Sequence, residues 1–144
     1  MKSKYQIRPE IFLMKTLFGQ DMQMTLLPLG TPVLAARRGL VRLAKLDSDT
    51  NLTTKDAEKL SMLDKIAFAN KYTNLVWIDH NDGTFAEYCH LAKGKAISSG
   101  QFANKGEIVG YVGLSGITDF PHLHFNVFTV KGDVVKSIPV EFAE

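Results

Sequence analysis

From Gly30 onward the chain is cut into short apolar stretches by turn-forming residues, and few folds are open to a chain divided that way. The segment Leu26-Leu27-Pro28-Leu29-Gly30-Thr31-Pro32-Val33 supplies the first turn, because proline fixes φ and glycine permits positive φ. Val33 to Arg37 and Leu40 to Leu46 then read as two strands separated by Arg38-Gly39. Leu75 to His80 and Thr84 to Leu91 flank Asn81-Asp82-Gly83 and form the clearest hairpin. Gly100, Gly106, Gly110, Gly113 and Gly116 punctuate short strands around Ile108-Val109-Gly110-Tyr111-Val112. His122 to Val130 alternates, and Lys131-Gly132-Asp133 turns it into Val134 to Ile138. Short strands with regular turns predict an all-β domain of antiparallel sheets, a sandwich or open barrel.

One stretch departs from this pattern. After a polar loop over 47–54, Leu60, Leu63 and Ala67 fall at i, i+3 and i+7, with acidic residues near the start. That spacing predicts one amphipathic helix over 54–67. With its loop it reads as an insertion over 47–70 that carries no chemistry of its own. Residues 1–20 read as an irregular lead-in with one apolar cluster, Ile11-Phe12-Leu13-Met14. No repeat, low-complexity segment or linker divides the 144 residues, so a single domain over 1–144 is expected.

Composition removes some classes of function. A net charge of +2 gives no electrostatic basis for a nucleic-acid partner. Cys89 is the only cysteine, so no intrachain disulfide can form, and a small buried hydrophobe is the expectation for it. No window approaches the ~18 consecutive apolar residues of a membrane span. Arg8, Pro9, Glu10 and Lys15 interrupt the N-terminal apolar residues, so no secretion signal is read there.

The histidines carry the chemistry. His122 and His124 flank Leu123, and on a strand residues two apart share a face. Two imidazoles on one face suit a metal ligand with a neighbouring proton carrier. His90, in Tyr88-Cys89-His90-Leu91, ends the hairpin strand, and strand pairing could bring it alongside them. His80 sits at the hairpin tip, where a structural role is expected.

Pro121-His122-Leu123-His124-Phe125-Asn126-Val127 closely resembles the Pro-His-Leu-His-Phe-Glu-Val signature of lysostaphin-type (LytM-like) zinc metalloendopeptidases of peptidoglycan. Gly30-Thr31-Pro32-Val33 with Ala35-Ala36 and Gly39-Leu40-Val41 resembles another stretch of that family. So do the hairpin from Asn74 to Gly83, Tyr88-x-His90-Leu91, Gly106-x-Ile108-Val109-Gly110 and Gly113-x-Ser115-Gly116. Order and rough spacing agree from about residue 20 to 130. The resemblance implies a barrel-sandwich, duplicated-hybrid-like domain. It also implies His124 as a zinc ligand and His90 and His122 as catalytic histidines, with Tyr88 beside the substrate. In such a site zinc polarises the scissile amide and lowers the pKa of bound water, while unliganded imidazoles move protons and stabilise the oxyanion.

In that family the first two ligands are a histidine and, four residues on, an aspartate that ends six residues before the glycine of the Gly-Thr-Pro-Val stretch. Counting back from Gly30 puts these positions at Gln20 and Met24. A Gln carbonyl is a weak neutral ligand, and a thioether prefers softer ions. Asp21 is nearby, but three positions from Met24 it falls out of phase on a strand. Asn126 stands where the family usually has glutamate, and the resemblance implies a weaker hydrogen bond orienting the histidines.

The resulting expectation is a degenerate domain without efficient hydrolysis, in which no cofactor is expected unless the site still takes zinc. It would act as a binding or regulatory module for a peptidoglycan stem peptide or an active envelope hydrolase. The competing expectation is an active zinc endopeptidase with an atypical metal site. The resemblance implies a cell-envelope or extracellular location, and the absence of a visible signal leaves the cytoplasm open. A biotinyl- or lipoyl-type carrier domain shares the Gly-Thr-Pro-Val pattern, but the hairpin tip Asn81-Asp82-Gly83 has no lysine to modify.

Overall fold

A computed structural model describes residues 3–5, 12–15 and 21–142, with side chains from 26 to 141. Strands β1 (Ser3–Tyr5), β2 (Phe12–Lys15) and β3 (Asp21–Leu26) lead into β4 (Pro32–Leu34) and β5 (Gly39–Lys45). Strand β6 (Asn51–Leu52) precedes helices α1 (Thr54–Ala57) and α2 (Met62–Tyr72). The hairpin β7 (Leu75–Asp79) and β8 (Thr84–Cys89) follows, then β9 (Phe102–Ala103), β10 (Ile108–Tyr111) and β11 (Gly116–Ile117). The long β12 (His122–Lys131) turns into β13 (Val134–Ser137), and β14 (Val140–Phe142) comes last.

The main sheet runs β2-β3-β12-β8-β7-β5-β9, with β13 also paired to β12, and every neighbour in it is antiparallel. Antiparallel sheets can bury one face and leave the other for polar residues. Here Leu123, Phe125 and Val127 of β12 join Ala86 and Tyr88 of β8, Val76 and Ile78 of β7, and Val41 of β5 in one core. Val33 of β4, Val109 of β10, and Leu91 and Val112 belong to the same core. Residues of opposite parity form the other face: His122, His124 and Asn126 on β12, with Glu87 and Cys89 on β8. The sheets close no barrel, and the fold is the mostly antiparallel β architecture the turn pattern predicts.

The structure revises two local expectations. The lead-in, expected to be irregular, contains β1 paired in parallel with β14 and β2 paired with β3. The expected helix over 54–67 is broken into two and runs on to Tyr72. Thr53 caps α1 by accepting from Asp56 N, and Ser61 caps α2 by accepting from Asp64 N. The cap at Ser61 resets the helical phase, so Leu60 is not in register with Leu63 and Ala67. The half-buried face of α2 is instead Lys65, Phe68, Ala69 and Tyr72, while Leu63 is 79% exposed.

At the hairpin tip His80 is 8% exposed and shares a hydrogen bond of 3.0 Å between its Nδ1 and Thr84 Oγ1. Burial pushes its pKa from the usual 6.5 down to about 4; Arg37 adds to the shift, and Asp82 and Asp79 oppose it. Below the unfolded value the unfolded chain takes up a proton that the folded chain refuses. His80 therefore leaves stability intact above pH 6.5 and removes it as pH falls toward 4. The expected loss across that window is on the order of 2 kcal/mol. Denaturant melts at stepped pH should show a flatter profile for His80→Gln, and an unchanged slope would contradict this account.

Candidate metal and peptide site

β12 carries His122 and His124 to the face away from the core because alternation leaves Leu123 and Phe125 for the core. His90 arrives by a different route. Continued alternation past Tyr88 would send it into the core as well. Its φ of 62° is left-handed, uncommon for a residue with a Cβ, and swings the ring across to the histidine face. The His90 and His122 ring centroids then lie 4.8 Å apart, and those of His90 and His124 lie 5.9 Å apart. All three histidines singled out from the sequence therefore meet, and the left-handed residue makes the meeting possible.

Two of the rings are oriented by backbone carbonyls. His90 Nδ1 lies 2.8 Å from Ser115 O, and His122 Nδ1 lies 2.9 Å from Phe120 O. A carbonyl only accepts, so each Nδ1 carries a proton and donates it to that carbonyl. Thr118 Oγ1, which donates to Phe120 O, also lies 3.2 Å from His122 Nδ1. Burial and the hydrogen bond to Ser115 act in opposite directions on His90, and burial wins: its pKa falls to about 4. Burial lowers the pKa of His124 too, against the nearby Glu87 carboxylate. Both rings are therefore neutral at pH 7, the form that can accept a proton or bind a metal.

The loop behind His90 explains the Gly113-Leu114-Ser115-Gly116 segment. A side chain at Gly113 would overlap the backbone at Ala92, and Gly116 has a φ of 81°. Ser115 Oγ donates to Leu91 O at 2.8 Å and accepts from Asn74 N at 2.9 Å. Asn74 is fully buried; its Nδ2 donates to Ser48 O and Leu91 O, and its Oδ1 accepts from Ser48 N. The backbone immediately after His90 is thus held at Leu91 by Asn74 and Ser115.

Several contributors were not legible as site residues. Cys89 is the cross-strand partner of His124, and Glu87 is the partner of Asn126. Glu87 thus supplies a carboxylate one strand away from where the signature would place its glutamate. The Cys89 thiol is buried, as expected, and burial with the Glu87 charge pushes its pKa up. Strand pairing combined with alternation is the signal that would have found both. Tyr88, expected beside the substrate, is fully buried, and its hydroxyl accepts from Ala36 N at 2.9 Å. A ring with no exposed surface offers a ligand nothing to touch. Tyr88 packs at 5.1 Å against Phe125 and fixes the strands that carry the histidines.

On the other side of β12, Met24 of β3 is the cross-strand partner of His124, and Leu26 is that of His122. Among the described residues no three His, Cys, Asp or Glu side chains are disposed to hold a metal ion. Gln20 lies outside the described residues, as does the side chain of Met24. The described donor set therefore does not by itself fit a zinc centre.

The model of Peptidase family M23 matches residues 18–137. The chain belongs to this family. The M23 fold is also that of solved structures at low identity. One is the catalytic domain of the antimicrobial peptidase lysostaphin from Staphylococcus simulans, with TM-score 0.57 and 21% identity over 92% of this chain and 84% of that one. Another is a point mutant of the catalytic domain of the prophage-encoded M23 protein EnpA from Enterococcus faecalis, with TM-score 0.57 and 24% identity over 95% and 85%. A zinc-containing peptidase from Vibrio cholerae matches with TM-score 0.56 and 20% identity, over 85% of this chain and 35% of that one. In this M23 domain the described residues form no helix long and apolar enough to cross a membrane.

Proposed function

We propose that this M23 domain is a non-hydrolysing module of the cell envelope whose histidine face binds a peptidoglycan stem peptide. The observation that carries the reading is the pairing of Met24 with His124, the position at which the family resemblance calls for the aspartate ligand. A thioether there does not replace a carboxylate on zinc. The retained features suit recognition. His90 and His122, each oriented by a backbone carbonyl, offer ring nitrogens to a peptide, Asn126 donates and accepts, and Glu87 attracts an amine.

The test is titration of the purified protein with a synthetic stem tetrapeptide, alongside mass spectrometry of the peptide and elemental analysis of the protein. Saturable binding without cleavage is expected. His90→Ala and His122→Ala should each weaken binding by about tenfold, the loss of one desolvated hydrogen bond. Stoichiometric zinc together with cleavage of wall peptides would sink the proposal. A second reading, an active endopeptidase with an atypical metal site, draws on the same pair of carbonyl-oriented imidazoles. It requires bound metal and an activity that His124→Ala abolishes.

A further inference from the structure

The insertion over 47–70, expected to carry no chemistry of its own, begins with a segment bonded to the loop behind the histidines. β6 lies parallel to β11, with Asn51 opposite Gly116 and Leu52 opposite Ile117. Gly116 N donates to Thr50 O at 2.9 Å, and Thr118 N donates to Leu52 O at 3.1 Å. Backbone groups of successive residues in an extended chain point to opposite sides. Residues 114, 116 and 118 therefore turn their carbonyls toward β6, and Ser115 turns its carbonyl away. The Asn51 side chain takes up the near set. Its Nδ2 donates to Leu114 O at 2.8 Å and Thr118 O at 2.9 Å, with Gly116 O at 3.3 Å sharing a proton.

The far set serves the rings. Ser115 O accepts from His90 Nδ1 at 2.8 Å. The peptide unit that carries this carbonyl also carries the N–H of Gly116, which Thr50 O holds. Asn51 grips the peptide units on either side of it, through Leu114 O and Gly116 O. Rotating the Ser115 carbonyl off His90 therefore breaks bonds to the insertion on both flanks.

A different anchor serves His122. Beyond Thr118 the chain bends at Asp119 and Phe120, and Phe120 O accepts from His122 Nδ1 at 2.9 Å. Pro121 follows, so this peptide unit has no N–H by which to be held. Its hold comes from Thr118 Oγ1, which donates to Phe120 O at 3.1 Å, and from Asp119 beside it. The Asp119 carboxylate accepts from Thr54 N at 2.8 Å and from Thr54 Oγ1. Attachment of the insertion alone would need only the two backbone bonds between β6 and β11. Gly113 and Gly116 give the loop its close approach and its left-handed turn, and glycine leaves a backbone free unless neighbours restrain it.

We propose that Asn51 and Thr54 are positioning residues for the histidine face. Asn51 fixes the peptide units that flank the Ser115 carbonyl and so its aim at His90. Thr54 fixes the bend at Asp119 and so the aim of Phe120 O at His122. The inference holds whatever the histidine face binds.

The readout is hydrogen exchange at the two ring Nδ1–H groups, followed by NMR of the ¹⁵N-labelled full chain, with a thermal melt of each variant. Asn51→Asp keeps the shape of the side chain and sets oxygens against three carbonyls. It should speed exchange at His90 at least about tenfold. Asn51→Ala, at an exposed position and without that repulsion, should speed it about threefold or more, and it decides the question if the aspartate variant does not fold. Asp119→Ala should speed exchange at His122 by about tenfold and leave His90 within about twofold, while Asp119→Asn, which keeps one acceptor, should restore most of the difference. Val41→Ala, a core truncation on β5, is the control for a merely weakened fold. It should lower the melting temperature by about 3–6 °C and leave both ring rates within about twofold. His90 exchange within about twofold of wild type in the folded Asn51 variants would overturn the proposal. An acceleration in Val41→Ala equal to theirs would overturn it too.

Discussion

The double substitution Gln20→His with Met24→Asp should convert the chain from one that purifies with little zinc, under about 0.1 equivalent, to one that carries about one equivalent. His124 already stands on the face away from the core, and Met24 is its cross-strand partner on β3. Position 20 is four residues earlier, the spacing that the family resemblance gives the histidine and aspartate ligands. Imidazole, carboxylate and His124 make the three protein ligands of an open zinc site, with the fourth position left to water. Met24→Asp alone supplies only one further ligand and should bind far more weakly. The double variant should also gain thermal stability from added zinc, by about 4 kcal/mol at a thousandfold excess over Kd, and lose it to a chelator. The wild-type melt should not respond. A double variant that melts like the wild type yet takes up no zinc would show that the register counted back from Gly30 is wrong. Stoichiometric zinc in the wild type would show instead that the chain has its own way of completing the site.

What the sequence made legible follows a physical division. Alternation and turn chemistry are local, so the β7–β8 hairpin and the histidine face of β12 could be read directly from Leu75 to Leu91 and from His122 to Val130. Helix phase is local too, but it depends on where the helix starts. Ser61 competes for that start by capping Asp64 N, and the apolar spacing from Leu60 gave no sign of it. Cross-strand neighbours are not local. Glu87 and Cys89 join the histidine face only through the register of β8 against β12. His90 combines both difficulties. The family resemblance pointed to it, while simple alternation argued against its reaching the site, and its left-handed φ resolves the conflict.

That left-handed residue needs support, and Asn74 is where the support is concentrated. Its side chain makes three hydrogen bonds to Ser48 N, Ser48 O and Leu91 O, all fully buried, and its backbone N–H donates to Ser115 Oγ. Ser115 in turn holds Leu91 O through its hydroxyl and His90 Nδ1 through its carbonyl. Asn74→Ala would leave the donor and acceptor of Ser48 without that partner inside the protein, at about 1–3 kcal/mol for each stranded group. The expected destabilisation is therefore about 3 kcal/mol or more, large against the 5–15 kcal/mol that holds a typical domain. Ser115→Ala removes a single hydroxyl and should cost about 1–2 kcal/mol, which leaves a folded protein in which the site can be examined. In that variant the ¹⁵N shifts of the His90 ring should move toward a mixture of tautomers, and affinity for the stem tetrapeptide should fall, because the carbonyl that fixes Nδ1 is no longer fixed itself. A purely structural serine would lower stability and leave the His90 ring signals where they are. Denaturant melts of Asn74→Ala within about 0.5 kcal/mol of wild type would mean that the segment around His90 is held by something other than this network.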